Sequence, residues 1–227
     1  MTLALAAPPV RQVEAAPLLA LSRLTVDFAA SGSGKSVTSL AALRLLPAEA
    51  QIGGRIAFGG EDVARMSLAR LQSLRGGRMA IVFQDPAAAL NPTQTIGWQL
   101  RERLVRHQGL GGAPLQAAAI AALARVGIAD PAQRLEDYPH HLSGGMCQRA
   151  MIAMALTGKP KLLIADEPTT AMDVTTQAQI LDLLRDLQRE TGMAMVLVSH
   201  DLGLIAESCA RVAVMYAGRI VEIGPTR

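Results

Sequence analysis

The sequence is poor in aromatic residues and in cysteine, and it contains no long apolar run. Aromatics make up 3% of the 227 residues although 50% are apolar, so the core must be built from aliphatic side chains and methionine. Cys147 and Cys209 are the only cysteines and stand far apart, which excludes a cysteine-rich metal or iron–sulfur site and is typical of a reducing compartment. No apolar run reaches the length of a membrane span.

Charge and the N-terminal segment add two further exclusions. A net charge of +3 is too small to argue for nucleic-acid binding by itself. The first residues lack the basic segment and apolar core of a signal peptide, and residues 1–17 are rich in Ala and Pro, so we expect a flexible N-terminal arm there. These features predict a cytosolic protein, which can still dock on a partner in the membrane.

Short apolar strands alternate with helical segments, which predicts an α/β domain over residues 18–227 with a mainly parallel sheet. Leu24–Phe28 and Gly53–Gly60 indicate strands of a small antiparallel β subdomain. The strand signal is absent between residues 87 and 141, where helical segments are separated by glycines. We therefore expect an inserted helical subdomain at about 87–141.

The segment Leu162–Glu167 organises the chain, because a short apolar strand leads there into two adjacent carboxylates, Asp166 and Glu167. Open α/β sheets bind their ligands at this end of their strands. One carboxylate would hold the water shell of Mg²⁺ and the other would accept a proton. The alternative is a strand end with two solvated acids, which this segment alone does not exclude.

A glycine-rich loop, Ser31-Gly32-Ser33-Gly34-Lys35-Ser36, follows a strand and begins a helix. Glycines let backbone N–H groups converge on phosphate oxygens, and the helix N-terminus favours negative charge there. Lys35 would reach the β- and γ-phosphates and Ser36 would bind Mg²⁺. The usual pattern begins with a further glycine, where this chain has Ala29, and a flexible linker is the alternative interpretation.

Three further polar sites follow the same logic. Gln84 ends a buried strand, where its amide would reach Mg²⁺ or the attacking water, although a polar strand end is the alternative. Ser143 with Gly144 and Gly145 begins a helix and would admit a phosphate, although ordinary helix capping explains the same residues. His200 also ends a strand, as a donor to a γ-phosphate or as a structural hydrogen bonder.

The order of these motifs from about residue 21 to residue 227 resembles the ATP-binding subunits of ABC transporters. The resemblance rests on six motifs: Ser31–Ser36 (Walker A), Gln84 (Q-loop), Leu142–Met146 (signature), Leu162–Glu167 (Walker B), Ala171–Asp173 (D-loop) and His200 (switch). The family is of the P-loop NTPase type. Phe83-Gln84-Asp85-Pro86, Leu90-Asn91-Pro92 and Met146 resemble its oligopeptide, dipeptide or nickel importer branch.

The resemblance implies an ATP-hydrolysing subunit that works as a head-to-tail dimer, with an identical or a sister subunit, at the cytoplasmic face of the inner membrane. ATP and Mg²⁺ would be the cofactors, with Ser36, Gln84 and Asp166 around the metal. Glu167, Gln84 and His200 would be catalytic, and Ser143–Gly145 would complete the partner's site. The further partners would be permease subunits and, indirectly, a solute-binding protein, without nucleic acid.

The sequence departs from the family between Leu24–Phe28 and Ser31, where about two strands of chain are absent. Phe28 is too close to the loop to stack on adenine, and the family's C-terminal extension is absent after Arg227. Three hypotheses follow: an importer ATPase of peptides or a related solute, an internally deleted homologue that binds nucleotide poorly, or an ABC ATPase outside transport. The peptide-branch residues disfavour the third.

Overall fold

The computed structural model describes residues 2–6, 17–27 and 33–226, and within these ranges it divides into two compact units. Unit one comprises Met1–Arg75 and Ala194–Arg227, and unit two comprises Gly76–Met193. The strands are β1 Thr2–Ala6, β2 Leu19–Asp27, β3 Gln51–Phe58, β4 Glu61–Asp62, β5 Met79–Val82, β6 Leu162–Asp166, β7 Ala194–Ser199, β8 Arg211–Tyr216 and β9 Arg219–Pro225. The helices are α1 Lys35–Ala42, α2 Leu68–Leu74, α3 Pro86–Ala89, α4 Ile96–Gln108, α5 Gly112–Arg125, α6 Pro131–Arg134, α7 Gly144–Leu156, α8 Val174–Thr191 and α9 Leu202–Ser208.

Unit one contains two groups of paired strands. β2, β3 and β4 form the small antiparallel sheet that the sequence predicts. The second group has the order β7-β1-β8-β9, with β1 antiparallel to both neighbours, so that Leu3 faces Val198 and Ala213. β8 and β9 form a hairpin whose turn residues, Ala217 and Gly218, both have positive φ, as a tight hairpin turn of this hand requires.

Unit two combines a parallel strand pair with a layer of helices. β5 and β6 pair in parallel, with Ala80 opposite Leu163. Every residue of β6 is buried, which explains why this strand has no polar alternation. Helix α7 packs against β5, α3, α4 and α5, and its residues from Cys147 to Leu156 are almost all buried.

The structure confirms a mixed α/β fold and differs from the sequence prediction in one segment. Thr2–Ala6 form a strand where an arm is predicted, because their pairing partners, β7 and β8, lie about 200 residues away in the sequence. Residues 7–16 lie outside the described residues, so the arm stays a prediction there. The helical region at 87–141 shares one compact unit with β5 and β6, and its separation as a subdomain also stays a prediction.

Candidate active site

The two carboxylates lie at the carboxyl end of β6, as predicted. Asp166 is the last residue of this strand and is 5% exposed. Glu167 follows it, half-buried, with a φ of 45°, a left-handed conformation that is uncommon for a residue with a side chain. Such conformations persist where the surrounding structure enforces them, and they often mark functional sites.

Gln84 contacts Glu167, which brings together two residues that the sequence separates widely. Nε2 of Gln84 donates to Oε2 of Glu167 at 3.3 Å. The contact arises because β5 and β6 are parallel neighbours, so their carboxyl ends lie at one edge. The sequence proposes a function for each residue separately, and the structure joins them in one hydrogen bond.

Thr170 belongs to the same group of side chains, and sequence reasoning missed it. Its Oγ1 donates to Oε2 of Glu167 at 2.9 Å, and its backbone N–H donates to the carbonyl oxygen of Glu167 at 3.2 Å. A signal was available, because a proline at the second position of a four-residue segment favours a tight turn that returns the chain toward the residue before the proline. That turn places the side chain three residues on beside the carboxylate.

The phosphate loop is described from Ser33 onward, whereas Ser31 and Gly32 lie outside the described residues. Gly34 caps α1 with a φ of 85°, a conformation that favours glycine. Thr38 donates both its backbone N–H and its hydroxyl to the carbonyl oxygen of Gly34, each at 2.9 Å. Lys35 is buried and Ser36 half-buried in the first turn of the helix, so both stand where a bound phosphate is expected.

A cavity of about 540 Å³ opens beside Gly34 within unit one. It is lined by β2, by the first turn of α1 and by the β8–β9 hairpin, including Met215 and Ile220. None of the described residues that line it is aromatic.

The start of α7 is capped and accessible. Oγ of Ser143 accepts a hydrogen bond from the backbone N–H of Met146 at 3.3 Å, as predicted for an N-cap. Gly144 is exposed, and a Cβ built on it would meet no atom within 4 Å. One turn further, burial raises the pKa of the Cys147 thiol, which stays neutral and donates to the Pro139 carbonyl at 3.3 Å.

His200 follows β7 directly and is exposed, before α9 begins. Asp201 caps α9 by accepting the backbone N–H groups of Gly203 and Leu204. Lys35 and His200 thus belong to unit one and the acid pair to unit two. Among the predicted catalytic residues, the structure shows a hydrogen bond between Gln84 and Glu167.

The sequence matches the model of the family described as ABC transporter over residues 28–170. It is 48% identical to a putative peptide import ATP-binding protein of Brucella melitensis, covering 94% of this chain and 72% of that protein. It is also 48% identical to the dipeptide transport ATP-binding protein DppD of Escherichia coli, covering 93% of this chain and 68% of that protein.

Solved structures give the same result. The fold is similar to cbiO1 from Clostridium perfringens, part of the ABC transporter complex cbiONQ, with a TM-score of 0.77 and 26% identity over 92% of this chain and 88% of that one. It is also similar to the dimeric ATP-binding cassette MJ0796 bound to ADP and Pi, with a TM-score of 0.74 and 27% identity over 87% of this chain and 83% of that one. The chain therefore belongs to the ABC transporter family, as an ATP-binding subunit of the ATPase type.

Proposed function

We propose that this chain hydrolyses ATP to energise the import of peptides, or of a related small solute, through a membrane permease. The observation that carries the catalytic part is the contact of Gln84 with Glu167 at the carboxyl end of two parallel strands. The substrate class rests on the relatives, two of which are named for peptide import and dipeptide transport.

The triphosphate would bind at the start of α1. Ser31, Gly32, Ser33, Gly34, Lys35 and Ser36 form the proposed phosphate loop. Lys35 and Ser36 lie in the first turn of α1, with Lys35 buried. Backbone N–H groups and the favourable partial charge at a helix N-terminus would bind phosphate oxygens beside them.

The donor set fits Mg²⁺. The hydroxyl of Ser36, the amide of Gln84 and the carboxylate of Asp166 all offer oxygen atoms, which this hard cation prefers. Mg²⁺, when bound, neutralises charge that develops on the transferred phosphoryl group. Glu167 would act as general base or orient the attacking water, with Gln84 beside it, and His200 would donate to the γ-phosphate.

The exposed start of α7 supports a second subunit, identical or sister, that binds head to tail. Ser143, Gly144 and Gly145 would complete the partner's nucleotide site, because backbone N–H groups at an open helix N-terminus bind phosphate. The region at 87–141, with Gln84 at its start, would contact the permease on the cytoplasmic face of the membrane. No helix within the described residues is long and apolar enough to span a membrane.

Replacing Glu167 by Gln tests the catalytic part. We expect Glu167→Gln to lower phosphate release more than about 100-fold, because it removes the proton acceptor, and to leave nucleotide binding unchanged. The measurement is ATPase activity with and without the permease, with binding followed by a fluorescent ATP analogue. Glu49→Gln, an exposed position in unit one, is the matched control. Unchanged turnover in Glu167→Gln would remove this residue from its proposed role.

One observation favours a second candidate, an internally deleted homologue with weak nucleotide binding. The alignment with the Brucella melitensis relative extends over 240 positions, more than the 227 residues of this chain, so it includes positions at which this chain has no residue. This candidate predicts weaker binding of the ATP analogue than an intact importer ATPase shows, and equal affinity would exclude it.

A further inference from the structure

A cavity of about 220 Å³ opens among helices α4, α5 and α7 within unit two. Most of its apolar wall is formed by Leu104, Ala118, Ala122, Ala153 and Leu156. None of the described residues assigned to the proposed ATPase site lines this cavity. It is therefore a separate place at which a small molecule could bind.

The uncharged polar residues of the wall, Gln108 and Thr157, are engaged inside the chain. Nε2 of Gln108 donates to the carbonyl oxygen of Thr157 at 2.7 Å, and Oγ1 of Thr157 donates to the carbonyl oxygen of Met154 at 2.8 Å. These bonds leave the interior mainly apolar, and a water molecule finds few partners in such a cavity. An aliphatic group is therefore favoured over water there.

Two cations, Arg125 and Lys159, also line the cavity, and both are exposed, so they lie at its rim. Nη2 of Arg125 lies 3.0 Å from Oε2 of Glu190, which offsets one of the two charges. Within the described part of the chain, the ammonium of Lys159 has no hydrogen bond or ion pair. An unpaired positive charge at the rim of an apolar cavity favours an anionic group at that point.

The backbone after α7 holds Lys159 at this rim. Lys159 has a φ of 51°, in the left-handed region that few residues with side chains adopt. Its backbone N–H donates to the carbonyl oxygen of Leu156 at 2.9 Å, and the residue after it, Pro160, is buried. This turn fixes the Cα of the lysine beside the apolar wall, while its flexible stem lets the ammonium follow a ligand.

We propose that this cavity binds an aliphatic monocarboxylate of medium chain length, with the chain among α4, α5 and α7 and the carboxylate beside Lys159. The volume of about 220 Å³ holds ~7 groups of the size of a water molecule, at ~30 Å³ each. A methylene group is of similar size, so octanoate fills the cavity, whereas a membrane lipid with two acyl chains exceeds it. The proposal does not depend on the proposed ATPase function.

Acids of increasing chain length test the fit in the wild-type chain. Because each methylene group that is buried adds to the binding, affinity should rise about fourfold per added carbon up to octanoate and level off beyond it. The measurement is an NMR titration of ¹³C-methyl alanine signals, with Ala118, Ala122 and Ala153 as reporters in the wall. Signals that do not shift, or an affinity that is equal from butanoate to octanoate, would overturn the proposal.

Substitutions at the rim and in the wall separate the charge from the apolar surface. Lys159→Gln removes the charge, so we expect about fivefold weaker binding of octanoate and unchanged binding of octanol, while Lys159→Arg should keep the affinity for octanoate. Ala122→Leu fills the cavity and should abolish binding of both ligands. Ala117→Leu, at an exposed position of α5 outside the cavity, is the matched control and should bind both as the wild type does.

Three outcomes would contradict this assignment. They are equal octanoate affinities of the wild type and Lys159→Gln, octanoate binding that survives Ala122→Leu, and alanine shifts that phosphatidylglycerol vesicles cause but octanoate does not. The last would assign the cavity to a membrane lipid. Circular dichroism checks that Ala122→Leu is folded, and Ala118→Leu replaces it otherwise. The chain-length series needs no variant, so it decides the proposal even if both leucine variants are unfolded.

Discussion

The two ends of helix α7 contain glycines with opposite surroundings. At the start, a Cβ added to Gly144 would meet no atom within 4 Å. Just after the end, a Cβ on Gly158 would lie 1.7 Å from the carbonyl oxygen of Gly76. Gly158 is therefore required by packing within the chain, whereas nothing in the described chain requires Gly144. Substituting Gly144 therefore tests its role toward another molecule without introducing a clash inside the chain.

The largest effect should come from closing the space at the second glycine. Gly158→Ala forces a backbone carbonyl to move and should lower the free energy of unfolding by at least about 3 kcal/mol. Chemical denaturation measures this change, and Gly111→Ala is the control, because a Cβ there meets no atom within 4 Å and φ is extended at −148°. Equal stability of the two variants would contradict the close approach of Gly158 to Gly76.

At the start of α7, replacing glycine by alanine should lower the ATPase activity without lowering the stability. We expect Gly144→Ala to keep the wild-type free energy of unfolding and to lower ATPase activity by about 10- to 100-fold, because a methyl group would displace the partner's phosphate from the helix N-terminus. Phosphate release at a protein concentration that saturates dimer formation measures the effect. Full activity in Gly144→Ala would mean that this helix start is only a capped end.

The sequence was sufficient to predict the open end of α7 but not the closed one. Ser143 followed by two glycines predicts a capped helix start, since capping depends on neighbouring residues only, and the structure has this cap. The approach of Gly158 to Gly76 depends on how β5 and the end of α7 pack, and no local pattern encodes it. Gly76 and Gly158 are far apart in the sequence, so sequence analysis cannot reveal that they approach each other.

The carboxyl end of β6, with Asp166 and Glu167, also combines features that the local sequence predicts with features that it does not. The positions of Asp166 and Glu167 at a strand end follow from the apolar run before them. Their partners do not, because the Gln84 contact needs the parallel pairing of β5 with β6. Thr170 lies between these cases, since its turn is local and is signalled by Pro168. The pairing of β1 with β7 and β8 was not predictable, because these partners are far from β1 in the sequence.

The open start of α7 nevertheless lies close to Thr176, in the first turn of α8. A Cβ on Gly145 would lie 3.0 Å from Cγ2 of Thr176, while Thr176 donates its hydroxyl to Asp173 at 2.7 Å and its backbone N–H at 2.9 Å. Asp173, the last of the D-loop residues Ala171–Asp173, is the N-cap of α8. These contacts give the signature start and the loop after β6 a common neighbour within unit two.

The smallest predicted effect is a pH-dependent change in Tm that comes from the charge of Asp173 at the start of α8. Hydrogen bonds from the Thr176 side chain, and next from its backbone, hold the pKa of Asp173 below its usual value. Since the folded-state pKa is depressed, the stabilisation is present above the unfolded pKa of about 3.9 and is lost as pH falls through the folded pKa.

Asp173→Asn keeps a capping oxygen but loses the charge, so its Tm should fall slightly below that of the wild type at neutral pH. Thermal unfolding from neutral pH to about pH 3 should show the two Tm values converge, and Thr176→Val should reduce the pH-dependent part of the difference. A difference in Tm that stays constant over this range would show that the Asp173 charge does not stabilise the start of α8.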